Sequence, residues 1–166
     1  MNSFNTLNLS KHLLNAIDDL GFEQATPVQL QSFPVIMSGK DIVGIAQTGT
    51  GKTFAYLLPL LQDLKFSKQT NPRVLILVPT RELVQQVAEQ AELLARYINV
   101  RVTRVYGGVN INTQKYAVAG GSDILVATPG RLYDLAMCGA LQLKGVIKLV
   151  IDEVDVMLDL GFRVQL

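Results

Sequence analysis

Three observations predict an α/β fold with a mostly parallel sheet. Short apolar runs alternate along the chain with amphipathic stretches. Several of those runs end in turns bearing Gly, Thr or an acidic residue, and one such turn is glycine-rich and opens a helical segment. Over 166 residues the pattern suits one domain with a sizeable core. Hydrophobic residues are 49% of the chain and charged residues 17%, a globular rather than a disordered composition. No apolar run is long enough to span a bilayer, and the polar start Met1-Asn-Ser-Phe-Asn-Thr6 is unlike a secretory leader, so a cytoplasmic protein with no membrane partner is expected. The single Cys138 excludes an internal disulfide, and with the single His12 it leaves no zinc cluster. Net charge is only +1, so nucleic-acid binding has no support from bulk composition and must be argued from local sites.

Ser10 is the candidate cap of a short helix whose Leu13, Leu14, Ile17 and Leu20 fall at helical spacing, with Gly21 as its stop. Thr26 and Pro27 restart a helix, Thr26 as cap and Pro27 at the first position, where its missing N–H costs nothing. Gln29 lies in that first turn and carries an amide that can both donate and accept. After Ser38-Gly39-Lys40, the run Asp41-Ile-Val-Gly-Ile-Ala46 reads as a strand leading into Ala46-Gln47-Thr48-Gly49-Thr50-Gly51-Lys52-Thr53. This octapeptide resembles the P-loop pattern G-x-x-x-x-G-K-[ST], with Ala46 where the first Gly is usual, and the apolar-rich run Phe54 to Leu61 follows it as a helix. Gly49 and Gly51 let backbone N–H groups turn inward, and the helix start favours phosphate. Lys52 is then placed to reach β/γ-phosphates and the Thr53 hydroxyl to ligate Mg²⁺. A Gly/Thr turn that merely precedes a helix is the plainer alternative.

Lys65 to Pro72 reads as a surface loop, and Val74 to Val78 as a strand buried on both faces. That strand ends in Pro79-Thr80-Arg81, where Thr80 can cap a long helix with Leu83, Val87, Ala91 and Leu94 along one face. Further strands are expected over Val100 to Tyr106, before Gly107-Gly108; over Asp123 to Ala127, before Thr128-Pro129-Gly130-Arg131; and over Val146 to Ile151, before Asp152-Glu153. No linker or charge run divides the chain. In a parallel sheet the carboxyl ends of the strands share the edge where ligands bind. Two of them end alike, with a Thr, an Arg and a helix start, and read either as two phosphate sites of a nucleic-acid strand or as plain caps with solvated arginines. Asp152 closes an apolar strand, where a P-loop ATPase presents an acid to the Mg²⁺ shell, and Glu153 could act as general base toward water; an acidic helix start is the structural alternative.

Taken together, these residues resemble the DEAD-box RNA helicases, from about Phe4 to Phe162. Gly21-Phe-Glu-Gln-Ala-Thr-Pro-Val-Gln29 with Phe4 upstream resembles the Q motif, which implies that Gln29 reads the adenine edge with Phe22 or Phe4 nearby. Ala46 to Thr53 resembles motif I, in which an initial Ala is usual. Pro79-Thr-Arg-Glu-Leu83 resembles motif Ia, Gly107-Gly108 the GG element and Thr128-Pro-Gly-Arg131 motif Ib, which implies contacts to the RNA sugar-phosphate backbone with little sequence preference. Asp152-Glu153-Val154-Asp155 resembles motif II with Val in place of Ala, Asp155 taking a coupling role, and the two added methyl groups could crowd the turn.

The resemblance implies a P-loop, RecA-like fold with helices on both faces of the sheet, ATP and Mg²⁺ as ligands, and RNA-stimulated ATP hydrolysis coupled to local duplex opening. It further implies that residues 1–166 form the first of two such domains, truncated before a central Ser-Ala-Thr strand and without the second domain. Open strand edges, poor stability or completion by a partner are expected of the isolated domain, with very slow hydrolysis. A non-catalytic ATP- or partner-binding module and another P-loop ATPase, such as a DNA translocase or a small-molecule kinase, remain the alternatives.

Overall fold

The computed structural model of the protein describes residues 3–47 and 49–162. Contacts group the chain into two compact units, Met1–Lys65 with Gln90–Asn99 and Phe66–Glu89 with Val100–Leu166.

The first unit is helical. A 3-10 turn over Phe4–Leu7 precedes helix α1 (Lys11–Asp19), α2 (Pro27–Met37) and α3 (Lys52–Asp63). Ser10 caps α1, its side chain accepting from the Leu13 N–H, and Gly21 follows the helix at φ 73°, a conformation that suits glycine. Helices α2 and α3 pack together, and one polar contact between them has a clear origin. Pro59 inside α3 has no N–H, so the carbonyl of Ala55 loses its helical partner, and the buried Ser32 hydroxyl of α2 donates to it at 3.1 Å. Asp19, after which α1 ends, accepts from Arg96 at 3.0 Å and from the Tyr97 hydroxyl at 2.6 Å, and that hydrogen bond holds the phenol above its ordinary pKa.

The second unit carries strands β1 (Val74–Leu77), β2 (Val102–Val105), β3 (Ile124–Ala127) and β4 (Lys148–Ile151), all parallel, in the order β2-β3-β1-β4. Helices α4 (Arg81–Leu94), α5 (Ile111–Ala119), α6 (Pro129–Met137) and α7 (Val154–Asp159) follow β1, β2, β3 and β4 in turn. Leu75, Leu77, Val105, Leu125 and Ala127 form one face of the sheet, in one cluster with Val118 of α5, Leu132 and Leu135 of α6 and Met157 of α7. The opposite face, Val74, Ile76, Ile124 and Val126, is at most 1% exposed. Two-sided burial explains why β1 and β3 read as unbroken apolar runs.

At the amino ends of the strands a buried carboxylate ties three elements together. Asp123, just before β3, accepts from the Arg101 backbone N–H at 3.0 Å, from Arg101 Nε at 2.9 Å and from Arg73 Nη2 at 3.0 Å. Burial pushes this carboxyl up, but the hydrogen bonds of Arg101 and Arg73 outweigh that and hold it below the ordinary range. The expected surface loop before β1 is fastened to the same cluster, since the Gln69 carbonyl accepts from Arg101 Nη2.

One expected strand is absent. Residues 41–47 have no regular secondary structure, and Val43 and Ile45 are 90% and 97% exposed. A strand exists through paired backbone groups, and none of the four strands pairs with this run. Among the described residues strand β4 pairs with β1 on one edge and with none on the other, and Ile147, Leu149 and Ile151 are exposed. The strand predicted over Val100 to Tyr106 shortens to Val102–Val105, and that over Val146 to Ile151 to Lys148–Ile151.

Candidate nucleotide and nucleic-acid sites

In the first unit the structure brings the start of α2 to the start of α3. Gln29 is 4% exposed, and its amide is held at both ends. The Thr26 N–H donates to Oε1 at 2.9 Å, and Nε2 donates to the Gly51 carbonyl at 3.2 Å. A backbone donor must meet the oxygen and a backbone acceptor the nitrogen, so the amide orientation is fixed by its partners. Each end keeps one further hydrogen-bonding valence.

Gly49 and Gly51 have φ of 84° and 88°, the left-handed region that the P-loop pattern predicts for them. A Cβ at Gly49 meets nothing within 4 Å, whereas one at Gly51 lies 2.5 Å from Gln29 Nε2. Gly51 occupies the cap position of α3, so no side chain caps the first N–H groups of that helix. Lys52 and Thr53 lie in its first turn, both half-buried. Within the loop the Thr50 hydroxyl donates to the Gln47 carbonyl at 2.7 Å, and Thr48 lies outside the described residues.

Of the two aromatic candidates, Phe22 is 49% exposed and packs edge-on to Phe54 of α3, with centroids 5.3 Å apart. Phe4 is 4% exposed, a core side chain from the 3-10 turn, and does not offer the open ring that stacking on a base needs.

In the second unit the register Leu77↔Ala127, Val105↔Ala127 and Leu77↔Ile151 aligns the carboxyl ends of all four strands. Thr80-Arg81, Gly107-Gly108, Thr128 to Arg131 and Asp152-Glu153 therefore share one sheet edge. Pro79 is buried, and Thr80 caps α4, its hydroxyl accepting from the Leu83 N–H at 3.3 Å. Arg81 is exposed, with its guanidinium 5.0 Å above the Tyr106 ring. Gly107 and Gly108 are exposed, Gly108 with φ 81°, and a Cβ on either meets nothing within 4 Å.

Arg131 is not the exposed phosphate ligand that the pattern suggested. It is 9% exposed; Nη1 donates to Gln114 Oε1 at 2.8 Å and Nη2 to the Val109 carbonyl at 2.9 Å. Thr128 and Pro129 are likewise buried at the start of α6, leaving Gly130 half-exposed. Gln114 escapes a search for motifs, but it leaves one signal. It stands with Ile111 and Val118 on the stripe that α5 turns inward, a polar residue at an apolar position.

The acid pair follows β4. The Asp152 N–H donates to the Leu77 carbonyl at 2.9 Å, and Asp152 Oδ1 accepts from the Glu153 N–H at 3.0 Å. Glu153 caps α7 in the left-handed region, φ 54° and ψ 47°. Val154 is 47% exposed, and Asp155 beside it is exposed. Among the described residues no cluster of His, Cys, Asp and Glu forms a metal cage, and no helix is long and apolar enough to cross a membrane.

The family model described as DEAD/DEAH box helicase matches residues 26–166. DEAD-box ATP-dependent RNA helicase 30 of Arabidopsis thaliana is 43% identical over 100% of this chain and 29% of its own length. CshA of Streptococcus pneumoniae, a DEAD-box ATP-dependent RNA helicase, is 45% identical over 96% of this chain and 30% of its own. The probable ATP-dependent RNA helicase DDX27 of Homo sapiens is 45% identical over 99% of this chain and 22% of its own. The chain thus spans less than a third of the length of these relatives. A crystal structure of a hypothetical ATP-dependent RNA helicase from Sulfolobus tokodaii is similar at a TM-score of 0.86 and 38% identity, over 95% of this chain and 45% of that one. The parallel sheet and its helices are accordingly those of a RecA-like helicase domain. With the glycine loop, the aligned strand ends and the family match over most of its length in agreement, the chain belongs to the DEAD/DEAH box helicase family.

Proposed function

We propose that residues 1–166 are the first RecA-like, ATP-binding domain of an ATP-dependent RNA helicase, with a second RecA-like domain supplied by the rest of the full-length protein. The observation that carries this reading is the fixed amide of Gln29 against Gly51. Its free valences are one acceptor on Oε1 and one donor on Nε2, the complement of the N6–H and N7 edge of adenine. Guanine presents O6 and N7, both acceptors, and an amide that cannot turn meets O6 with its own oxygen. Phe22 is the exposed ring nearby in sequence for the base, while Gln47, Gly49, Thr50 and Gly51 offer backbone N–H groups to the phosphates.

The donor set fits Mg²⁺, which takes hard oxygen ligands and is commonly held by one or two carboxylates together with substrate phosphates. Thr53 in the first unit and Asp152 in the second each carry such an oxygen, and the ion when bound would neutralise charge on the transferring phosphoryl group. Lys52 adds positive charge at the β/γ-phosphates, Glu153 orients and deprotonates the attacking water, and Asp155 couples the acid turn to the partner domain. RNA backbone contacts fall to Thr80, Arg81, Gly107, Gly108 and Gly130, with Pro79, Thr128, Pro129 and Arg131 shaping the turns that present them. Such contacts read phosphate and sugar and give little sequence preference.

Competition against a fluorescent ATP analogue tests the reading. A well-made bidentate contact discriminates by about 1–3 kcal/mol, so ATP should outcompete GTP by roughly ten- to a hundredfold. Gln29→Ala should abolish the difference. Equal competition by GTP on the unaltered chain would overturn the adenine assignment.

A further inference from the structure

We propose that Gln114 and Arg131 are positioning residues that hold the Gly107-Gly108 loop rigid from behind as a nucleic-acid backbone contact, and that neither touches phosphate. The proposal rests on the RNA-binding edge put forward above and deepens it.

The loop between β2 and α5 is clamped at both ends by these two buried side chains. At its start, the Tyr106 N–H donates to Gln114 Oε1 at 3.3 Å while Gln114 Nε2 donates to the Tyr106 carbonyl at 3.1 Å. The amide thus answers one residue's donor and acceptor together, as a neighbouring strand would. At the loop's end, Arg131 Nη2 takes the Val109 carbonyl at 2.9 Å, and its Nη1 joins the clamps by donating to the same Gln114 oxygen at 2.8 Å. Both terminal nitrogens of Arg131 are engaged in this framework, and its Nε is buried without a hydrogen bond, 3.9 Å from Asp134 Oδ2.

What the framework presents is two exposed glycines. Gly108 has a left-handed φ that calls for glycine. Gly107 has none, and a Cβ there meets nothing within 4 Å, so nothing inside the protein requires glycine at 107. Glycine without an internal reason, on an exposed and doubly clamped loop, fits a place where something else comes close to the backbone. The ligand matching such a surface, beside the exposed Arg81, is an anionic sugar-phosphate chain met by backbone N–H groups.

The test is the salt dependence of binding to a labelled oligouridylate. A side chain that neutralises one phosphate contributes about 0.7 to the slope of log K against log salt on single strands, whereas one that only shapes a loop contributes to affinity and not to slope. Arg81→Ala should weaken binding and flatten the slope by about that amount. Arg131→Ala and Gln114→Ala should each weaken binding roughly tenfold without changing the slope produced by phosphate contacts. The pair should be less than additive. Gly107→Ala should leave thermal stability unaltered and still weaken binding, which keeps the proposal testable should a buried variant fail to fold. If Arg81→Ala has no effect, the RNA-edge reading itself fails. If Arg81→Ala behaves as expected but Gly107→Ala binds normally, or Arg131→Ala flattens the slope by a full contact, the positioning role is wrong and the edge reading stands.

Discussion

Removing the Asp123 carboxylate probes the amino-terminal edge of the sheet. Asp123 is 4% exposed at its side chain and receives Arg73 Nη2, Arg101 Nε and the Arg101 backbone N–H within 3.0 Å. In Asp123→Ala, Arg101 loses little, because its side chain is 36% exposed and water replaces the lost partner. Arg73 is only 14% exposed, and a charged hydrogen bond there contributes about 1.5–3 kcal/mol. The orphaned backbone N–H adds about 1 kcal/mol. The sum is about 3 kcal/mol, a large part of the stability of a domain this size. At about 2–4 °C per kcal/mol the melting temperature should fall by roughly 6–12 °C at pH 7, followed by circular dichroism.

The same group gives a pH signature. The folded carboxyl titrates below the ordinary value of about 3.9, so its contribution is complete above that value and is lost as pH falls through the depressed folded pKa. Wild type and variant should therefore converge on acidification. A drop under about 2 °C at pH 7, or a gap that persists undiminished into the acid range, would refute the ion-cluster account.

Gly51→Ala should lower affinity for an ATP analogue at least tenfold, because its Cβ would sit 2.5 Å from Gln29 Nε2 and its φ is 88°. Gly49→Ala shares the strained backbone, costing about 1–3 kcal/mol, but meets open space, and should be the milder of the two; equal effects in a titration would discount the Gln29 contact. Val154→Ala in the full-length protein should change RNA-stimulated ATP turnover less than tenfold, since the side chain is 47% exposed. Leu149→Lys on β4 should raise solubility while shifting stability by no more than about 0.5 kcal/mol; unchanged aggregation in light scattering would mean the open edge is harmless.

Much of the framework was legible because its signals are local. The runs Val74 to Leu77 and Ile124 to Ala127 announce doubly buried strands by composition alone, and Ser10, Gly21, Gly49 and Gly51 announce caps and left-handed turns. The misreadings share one cause, that the deciding partner is distant in sequence. Asp41 to Ala46 reads as a strand by composition, but composition does not supply a neighbour. Arg131 follows a glycine at a helix start like a phosphate ligand, yet its environment is set by Gln114 and Val109, 17 and 22 residues away. Phe4 was read, with Phe22, as an aromatic near the adenine, and the 3-10 turn over Phe4–Leu7 puts its side chain in the core. Arg101 and Asp123 carried no motif at all, because a structural ion cluster needs only that three strand starts converge.

The left-handed backbone of Glu153 has an evolutionary corollary. A side-chain-bearing residue in that region costs about 1–2 kcal/mol that Gly largely avoids and Asn partly avoids. On the proposed role of Glu153 as general base, position 153 is one where fitness for heat and fitness for hydrolysis favour different amino acids. A library screened for thermal tolerance alone should enrich Gly or Asn there and produce hardier proteins with a silenced acid pair. A screen for ATP turnover that retained glutamate at 153 against that drift would be selecting for its carboxylate.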